Sequence, residues 1–336
     1  MEYVVYGKTG LKVSRIGFGG IPIQRGSAEN AEKAIFAAMD EGINFIDSAR
    51  GYTVSEEYIG KALRRHRKNF ILATKSMASS YETMLSDIDK SLALLNTDFI
   101  DIYQAHCVKD VETLHEFMQP GGVFDALLYA KKQGKIRFIG ITAHVAEVLN
   151  TAIDLYSDRI DSVMYPYNIV ETHGSDIFRS ARLKNIGTMA MKPFAGGNLT
   201  DTRLAIRFVL NNPDIDIALC GIGSDTEAKE NASVILSPLT QNETDECNKL
   251  VRELGSRFCR RCGYCAPCTV GINIPQFFTL QNYLKNYDLA AWAKARYDAM
   301  PVKPTACIQC GKCMTRCPYN LDIINKLKSV VSDFEK

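Results

Sequence analysis

From its N-terminus to about residue 234 the chain alternates short apolar runs with amphipathic helical patterns, and this alternation limits the fold most. Residues 14–18, 44–47, 70–75, 99–106, 137–142, 162–165, 187–192 and 215–221 read as strands. Residues 28–40, 55–65, 81–95, 124–133, 146–156, 176–183, 202–210 and 226–236 carry helical apolar spacing. Parallel strands need long crossovers, so strict strand–helix repetition implies a parallel sheet. Eight units over about 230 residues predict a closed (β/α)8 TIM barrel. An open doubly wound sheet is the competing architecture.

Ahead of the first strand, residues 3–5 and 11–13 flank Gly7-Lys8-Thr9-Gly10 and read as a small hairpin able to plug the barrel's N-terminal end. The expected division is a barrel over 1–238, a helical connector over 239–256 and a cysteine-rich, mainly helical domain over 257–336. In the last part, residues 275–287 and 289–300 look helical and lead into Pro301 and Pro304.

Eight of the eleven cysteines lie in that last part, as Cys259-x2-Cys262-x2-Cys265-x2-Cys268 and Cys307-x2-Cys310-x2-Cys313-x3-Cys317-Pro318. The second run has the spacing of bacterial ferredoxins, whose thiolates hold [4Fe–4S] clusters. The first departs from it, with x2 before Cys268 and Thr269 in place of proline. The resemblance to two-cluster ferredoxins implies one cluster on Cys259, Cys262, Cys265 and Cys317, and a second on Cys307, Cys310, Cys313 and Cys268. Ligation within each run is the alternative pairing, and four-cysteine zinc is the alternative metal. Cys107, Cys220 and Cys247 stand alone and read as small buried apolar residues, with Cys107 beside His106 and so near a pocket.

A net charge of +2 gives no footing for nucleic acid or an acidic membrane surface. No stretch of ~18 apolar residues is available to span a bilayer, and the N-terminus lacks a signal-peptide core. Closely spaced thiols then favour a reducing, cytoplasmic setting.

Active sites of such barrels gather at the C-terminal ends of the strands. Asp47 closes the second strand and Tyr52 follows it in a loop; Lys75 closes the third and His106 the fourth. Singly, these are a hinge residue, a rim tyrosine, a snorkelling lysine and a core histidine. Together they fall on three adjacent strands. This set, with the opening Gly7-Lys8-Thr9-Gly10-Leu11-Lys12-Val13-Ser14 and the turn Gly17-Phe18-Gly19-Gly20, resembles the aldo–keto reductase family over about residues 1–236. The resemblance implies hydride transfer between NADP or NAD and an aldehyde, ketone or alcohol, without a metal. Tyr52 would supply the proton, since a phenol beside an ammonium ionises more readily than one in water. Lys75 would be that ammonium, Asp47 its counter-ion, and His106 the group polarising the carbonyl.

The same resemblance places the nicotinamide against Gly20, Ile21 and Asp47. Thr142 and Ala143 stand where a Ser-Asn pair binds the carboxamide, with His144 as a substitute donor. Met164 takes the place of a glutamine, and Met191 that of a stacking aromatic. Lys192, Pro193, Phe194, Ala195 and Gly197 form a loop fit to approach a pyrophosphate. Gly221 and Gly223 lead into a helix with Glu227, Glu230 and Asn231 for the adenosine end. Glu227 would repel a 2′-phosphate, which leaves NAD open.

A reductase with an iron–sulfur tail, structural or redox-active, is therefore the leading expectation. The alternatives are an electron-transfer protein whose clusters serve a redox partner protein, and a nicotinamide-sensing subunit. No flavin motif is recognisable. Barrel loops set the substrate, and their shape is not legible here.

Overall fold

Each apolar run becomes a parallel strand because the helix after it carries the chain back across the sheet. The computed structural model describes every residue except Ser256 and Lys336. A hairpin comes first, β1 (Tyr3–Val5) and β2 (Lys12–Ser14), paired antiparallel. The barrel follows as β3 (Ile16–Gly19), β4 (Phe45–Asp47), β5 (Ile71–Ser76), β6 (Ile100–Val108), β7 (Ile136–Ala143), β8 (Ser162–Pro166), β9 (Gly187–Met191) and β10 (Ile217–Gly221). Neighbours in sequence are neighbours in space, and β10 closes the barrel by pairing with β3. The closed-barrel expectation holds.

Around it run α1 (Ala28–Asp40), α2 (Ser55–Leu63), α3 (Tyr81–Leu94), α4 (Val111–Met118), α5 (Val123–Lys132), α6 (Ala146–Tyr156), α7 (Ser175–Leu183), α8 (Thr202–Leu210) and α9 (Asp225–Ala232). α4 is an element the periodicity reading does not contain. It spans two turns and starts where Asp110 accepts the Thr113 amide at 2.8 Å.

The pleat sorts side chains between two cores. On β6, Ile102 joins the cluster inside the barrel, while Tyr103 and Ala105 join the shell beneath the helices. The hairpin packs at the start of β9, where Lys8 N–H donates to Asn185 O at 2.6 Å. Tyr6 is fully buried there, and a Cβ on Gly187 would meet its ring at 2.8 Å. The plug is thus built from an aromatic ring and the glycine that admits it.

The second compact unit comprises Ala195–Asn198 and Thr240–Lys336. Its helices are α10 (Gln241–Leu254), α11 (Ile274–Asn286), α12 (Ala290–Asp298), the single turn α13 (Lys312–Thr315) and α14 (Ile323–Phe334). A small core of Phe277, Leu280, Ala293, Tyr297, Leu327, Val330 and Phe334 holds α11, α12 and α14 together. The connecting helix α10 groups with this unit, as does the four-residue stretch after Phe194. Asn282 and Asn286 amides donate to Gly196 O at 3.0 and 3.1 Å.

Candidate active site and candidate iron–sulfur centres

Barrel register sets the first site. Asp47, the last residue of β4, lies opposite Ala73 on β5, and Lys75 lies opposite Gln104 on β6. Asp47 and Lys75 are almost wholly buried and form an ion pair. Lys75 Nζ also donates to Ser48 O at 2.6 Å, and Gln104 Nε2 donates to the other Asp47 oxygen at 2.9 Å. Burial pushes the Asp47 carboxyl up and the Lys75 ammonium down; the pair itself opposes both shifts.

Tyr52 is carried by a loop pinned at several points. Arg50 N–H donates to Lys75 O at 2.9 Å, and Tyr52 N–H donates to Ala49 O at 3.0 Å. Arg50 pairs with Glu56, whose buried carboxylate also accepts from Thr74 at 2.7 Å and Ser91 at 2.8 Å. Lys75 Nζ then stands 4.9 Å from the centre of the Tyr52 ring. Across the mouth, the His106 ring lies edge-on to Tyr52, 6.2 Å between centroids. Part of the imidazole reaches solvent, yet protein crowds it. Burial first, then the charges of Lys75 and Lys192, hold its pKa well below the usual value. The imidazole is therefore neutral at neutral pH and can donate one N–H to a carbonyl oxygen.

A bulge in β6 between Ala105 and Val108 takes in His106 and Cys107. There Cys107 takes φ 58° and is exposed, and its N–H donates to Thr142 Oγ1 at 2.7 Å. Cys220 and Cys247 are buried, as expected; Cys107 is not.

The structure brings all four expected catalytic side chains to one mouth. The expected nicotinamide residues lie at the same strand ends, with differing roles. Gly20 is a close-packing position: a Cβ there would meet Ser55 Oγ at 2.8 Å and Asp47 O at 3.0 Å. Ile21 follows it, half-buried. Thr142 serves the bulge, and Ala143 is fully buried in the shell beneath the helices. Met164 and Met191 belong with the apolar interior of the barrel. Lys192, at φ 62°, places Nζ 3.3 Å from His144 Nδ1, and its carbonyl accepts from Asn168 at 3.1 Å. Its ammonium thus faces the two histidines of the mouth. Pro193 and Phe194 close this strand end, while Ala195 and Gly197 fall in the second unit. After β10, Cβ atoms on Gly221 and Gly223 would meet Pro22 at 3.0 and 2.9 Å. Glu227 folds back so that Gly223 N–H donates to it at 2.5 Å, and it pairs with Arg25 at 3.7 Å. Glu230 is exposed and Asn231 buried. Sequence reasoning missed Gln104 and Glu56. Gln104 was within reach, since it stands two residues before His106 on the same face of one strand.

The second unit holds two cavities, each bordered by four thiols. Cys259, Cys262, Cys265 and Cys317 line one, with Arg260 and Tyr319. Cys268, Cys307, Cys310 and Cys313 line the other. Four thiols at each cavity suit an iron–sulfur cluster, which offers an iron to each thiolate. Arg261 N–H points to Cys259 Sγ at 3.4 Å, and the Thr269 hydroxyl lies 3.5 Å from Cys310 Sγ. Burial and then the neighbouring thiolates push the Cys265 thiol up to about 12. Bound iron reverses that bias, because a coordinating thiol loses its proton.

Comparison with known proteins covers both parts of the chain. The aldo/keto reductase family model matches residues 15–204, and a 4Fe-4S dicluster domain model matches residues 258–322. An L-galactose dehydrogenase from Arabidopsis thaliana is 29% identical, over 70% of this chain and 88% of its own length. The aldo-keto reductase YhdN of Bacillus subtilis is 30% identical, over 60% of this chain and 64% of its own. In structure, the holo form of the aldo-keto reductase AKR11C1 from Bacillus halodurans gives a TM-score of 0.64 at 24% identity, over 74% of this chain and 96% of that one. No helix among the described residues is long and apolar enough to cross a membrane. A barrel matched over more than half of the chain and eight thiols in a matched tail lead to one conclusion: the chain belongs to the aldo/keto reductase family of oxidoreductases and carries a C-terminal 4Fe-4S dicluster domain.

Proposed function

We propose that the barrel interconverts an aldehyde or ketone and its alcohol, with Tyr52 as the proton donor to the carbonyl oxygen. A nicotinamide, when bound, supplies or takes the hydride. The observation that carries this reading is the buried Asp47–Lys75 pair, with Lys75 4.9 Å from the Tyr52 ring and neutral His106 facing the same ring. Lys75 favours the phenolate that remains when Tyr52 gives up its proton. His106 donates to the oxygen on which charge develops and orients it. His144 and Lys192 stand beside the same mouth. The test is oxidation of NADH and NADPH by the anaerobically purified protein against a carbonyl panel, sugars included because of the L-galactose dehydrogenase relative. Loss of that activity in Tyr52→Phe supports the assignment.

Glu227 favours NAD over NADP in this reading. Its carboxylate occupies the Gly223 amide at the start of α9, where an anion would otherwise be received. Glu227→Ala frees that amide and Arg25, and is expected to raise NADPH affinity relative to NADH about tenfold, the weight of one charge-assisted contact. Fluorescence titration with both cofactors checks it; an unchanged ratio removes Glu227 from the cofactor site.

The two cavities support two [4Fe–4S] clusters, each drawing one thiol from the other run. Full loading then gives about eight irons per chain. Cys259→Ser/Cys317→Ser strikes one cavity and is expected to keep about half the iron. Cys259→Ser/Cys268→Ser strikes both and is expected to lose nearly all. Iron and sulfide assays decide it, and ligation within each run gives the reverse order.

A further inference from the structure

Three polar atoms inside the barrel are buried and lack a well-formed hydrogen bond among the described residues: Tyr6 Oη, Ser162 Oγ and Gln104 Oε1. Their residues are 0, 1 and 0% exposed. Buried polar groups left unpaired are costly and uncommon, so three in one core call for an explanation. They also lie together. The position of a Cβ on Gly140 is 2.7 Å from Ser162 Oγ and 3.3 Å from Gln104 Oε1, so both atoms face the gap that this glycine leaves. Ser162 is also the side-chain hydrogen-bonding neighbour of the Tyr6 hydroxyl.

We propose that Tyr6, Ser162 and Gln104 form a one-directional hydrogen-bonded column along the barrel interior, bridged by water, that holds the Gln104 amide nitrogen on Asp47. The direction follows from donor and acceptor counts. Asp47 accepts from the glutamine, so the amide must present nitrogen to it, and Oε1 points the other way. Oε1 can only accept, and the Ser162 hydroxyl is the donor beside it. Ser162 Oγ then accepts from Tyr6. A gap lined by such groups suits an ordered water where side chains do not touch. Gln104 and Ser162 are positioning residues: they act through Asp47 and touch no substrate.

The consequence rests on the reductase reading above. A donor on Asp47 favours its carboxylate over its acid, which keeps the proton on Lys75 in a pair that burial drives toward neutrality. Without Gln104 the proton passes from Lys75 Nζ to Asp47, and Tyr52 loses its neighbouring cation. The other groups facing this assembly are Glu56 toward Lys75, itself paired with Arg50, and His106, which faces Lys75 and Lys192. Tyr6 also feels Asp216, which is paired with Arg182.

The test follows Tyr52 ionisation by ultraviolet difference titration of the holoprotein, each chain measured against the same chain carrying Tyr52→Phe. Gln104→Met is expected to raise the pH of ionisation by about one unit, the weight of one hydrogen bond to a charged group. Ser162→Ala and Tyr6→Phe, which each remove a single oxygen, are expected to raise it by less, in that order. An unshifted titration in folded Gln104→Met overturns the column; if that variant does not fold, an unshifted Ser162→Ala does so. The titration needs no turnover. A chain inactive toward all carbonyls therefore defeats the reductase reading while this result still stands or falls alone.

Discussion

Tyr52→Phe is expected to lower carbonyl-dependent oxidation of reduced nicotinamide by about 10²- to 10⁴-fold, the range spanned by a positioned general acid. The substitution removes one oxygen and leaves the ring, so the contacts with Lys75 and His106 that hold the loop persist. Cofactor affinity, read by fluorescence titration, is expected to stay within about twofold. The split matters more than the loss. A fall in affinity of the same size as the fall in turnover makes Tyr52 a binding residue, and undiminished turnover ends its assignment as proton donor. His106 then is no substitute as an acid, because it is held neutral and its one N–H only polarises the carbonyl oxygen.

The second large effect concerns stability. Lys75→Met leaves Asp47 buried beside Gln104 with no ammonium, and removing one partner of a buried pair costs about 3–5 kcal/mol. The pH dependence has a definite sign. The lone carboxyl has a folded pKa raised still further above the ordinary 3.8, by burial. Its contribution is favourable below the unfolded value and is lost as pH rises, by about 1.4 kcal/mol per unit until the buried group ionises. The deficit of Lys75→Met is therefore expected to be small near pH 4 and large at pH 7. Asp47→Asn/Lys75→Met removes both charges and keeps an acceptor for Gln104, so the slope should vanish. Urea unfolding of the barrel at several pH values checks this. A deficit that is flat with pH would place the cost of Lys75→Met in lost packing.

Much of this site was legible because strand ends are legible. Asp47, Lys75 and His106 each close an apolar run, and barrel topology turns three consecutive strands into three neighbours. The thiols were legible for a similar reason: fixed spacing aims them, and the cavities group them as two-cluster ferredoxins pair them. What was hidden depends on side-chain packing. The fold-back of Glu227 onto Gly223 needs a distance, and the bulge at Cys107 needs a register shift. Ala143, read as a carboxamide neighbour, is turned by the pleat of β7 into the shell under the helices. α4 was missed because eight residues give too short a period to stand apart from a loop.

Closure of the barrel also sets the order in which the chain can be completed during synthesis. β3 needs β10 as its second neighbour, some two hundred residues later, and Tyr6 needs Gly187. A ribosome-bound chain ending before β10 therefore exposes two sheet edges, β3 and β9, each with unpaired backbone groups. Such long-range pairing folds slowly and invites edge-to-edge association meanwhile. Production at lower temperature, or with chaperone capacity to shield those edges, is the condition under which soluble chain should accumulate.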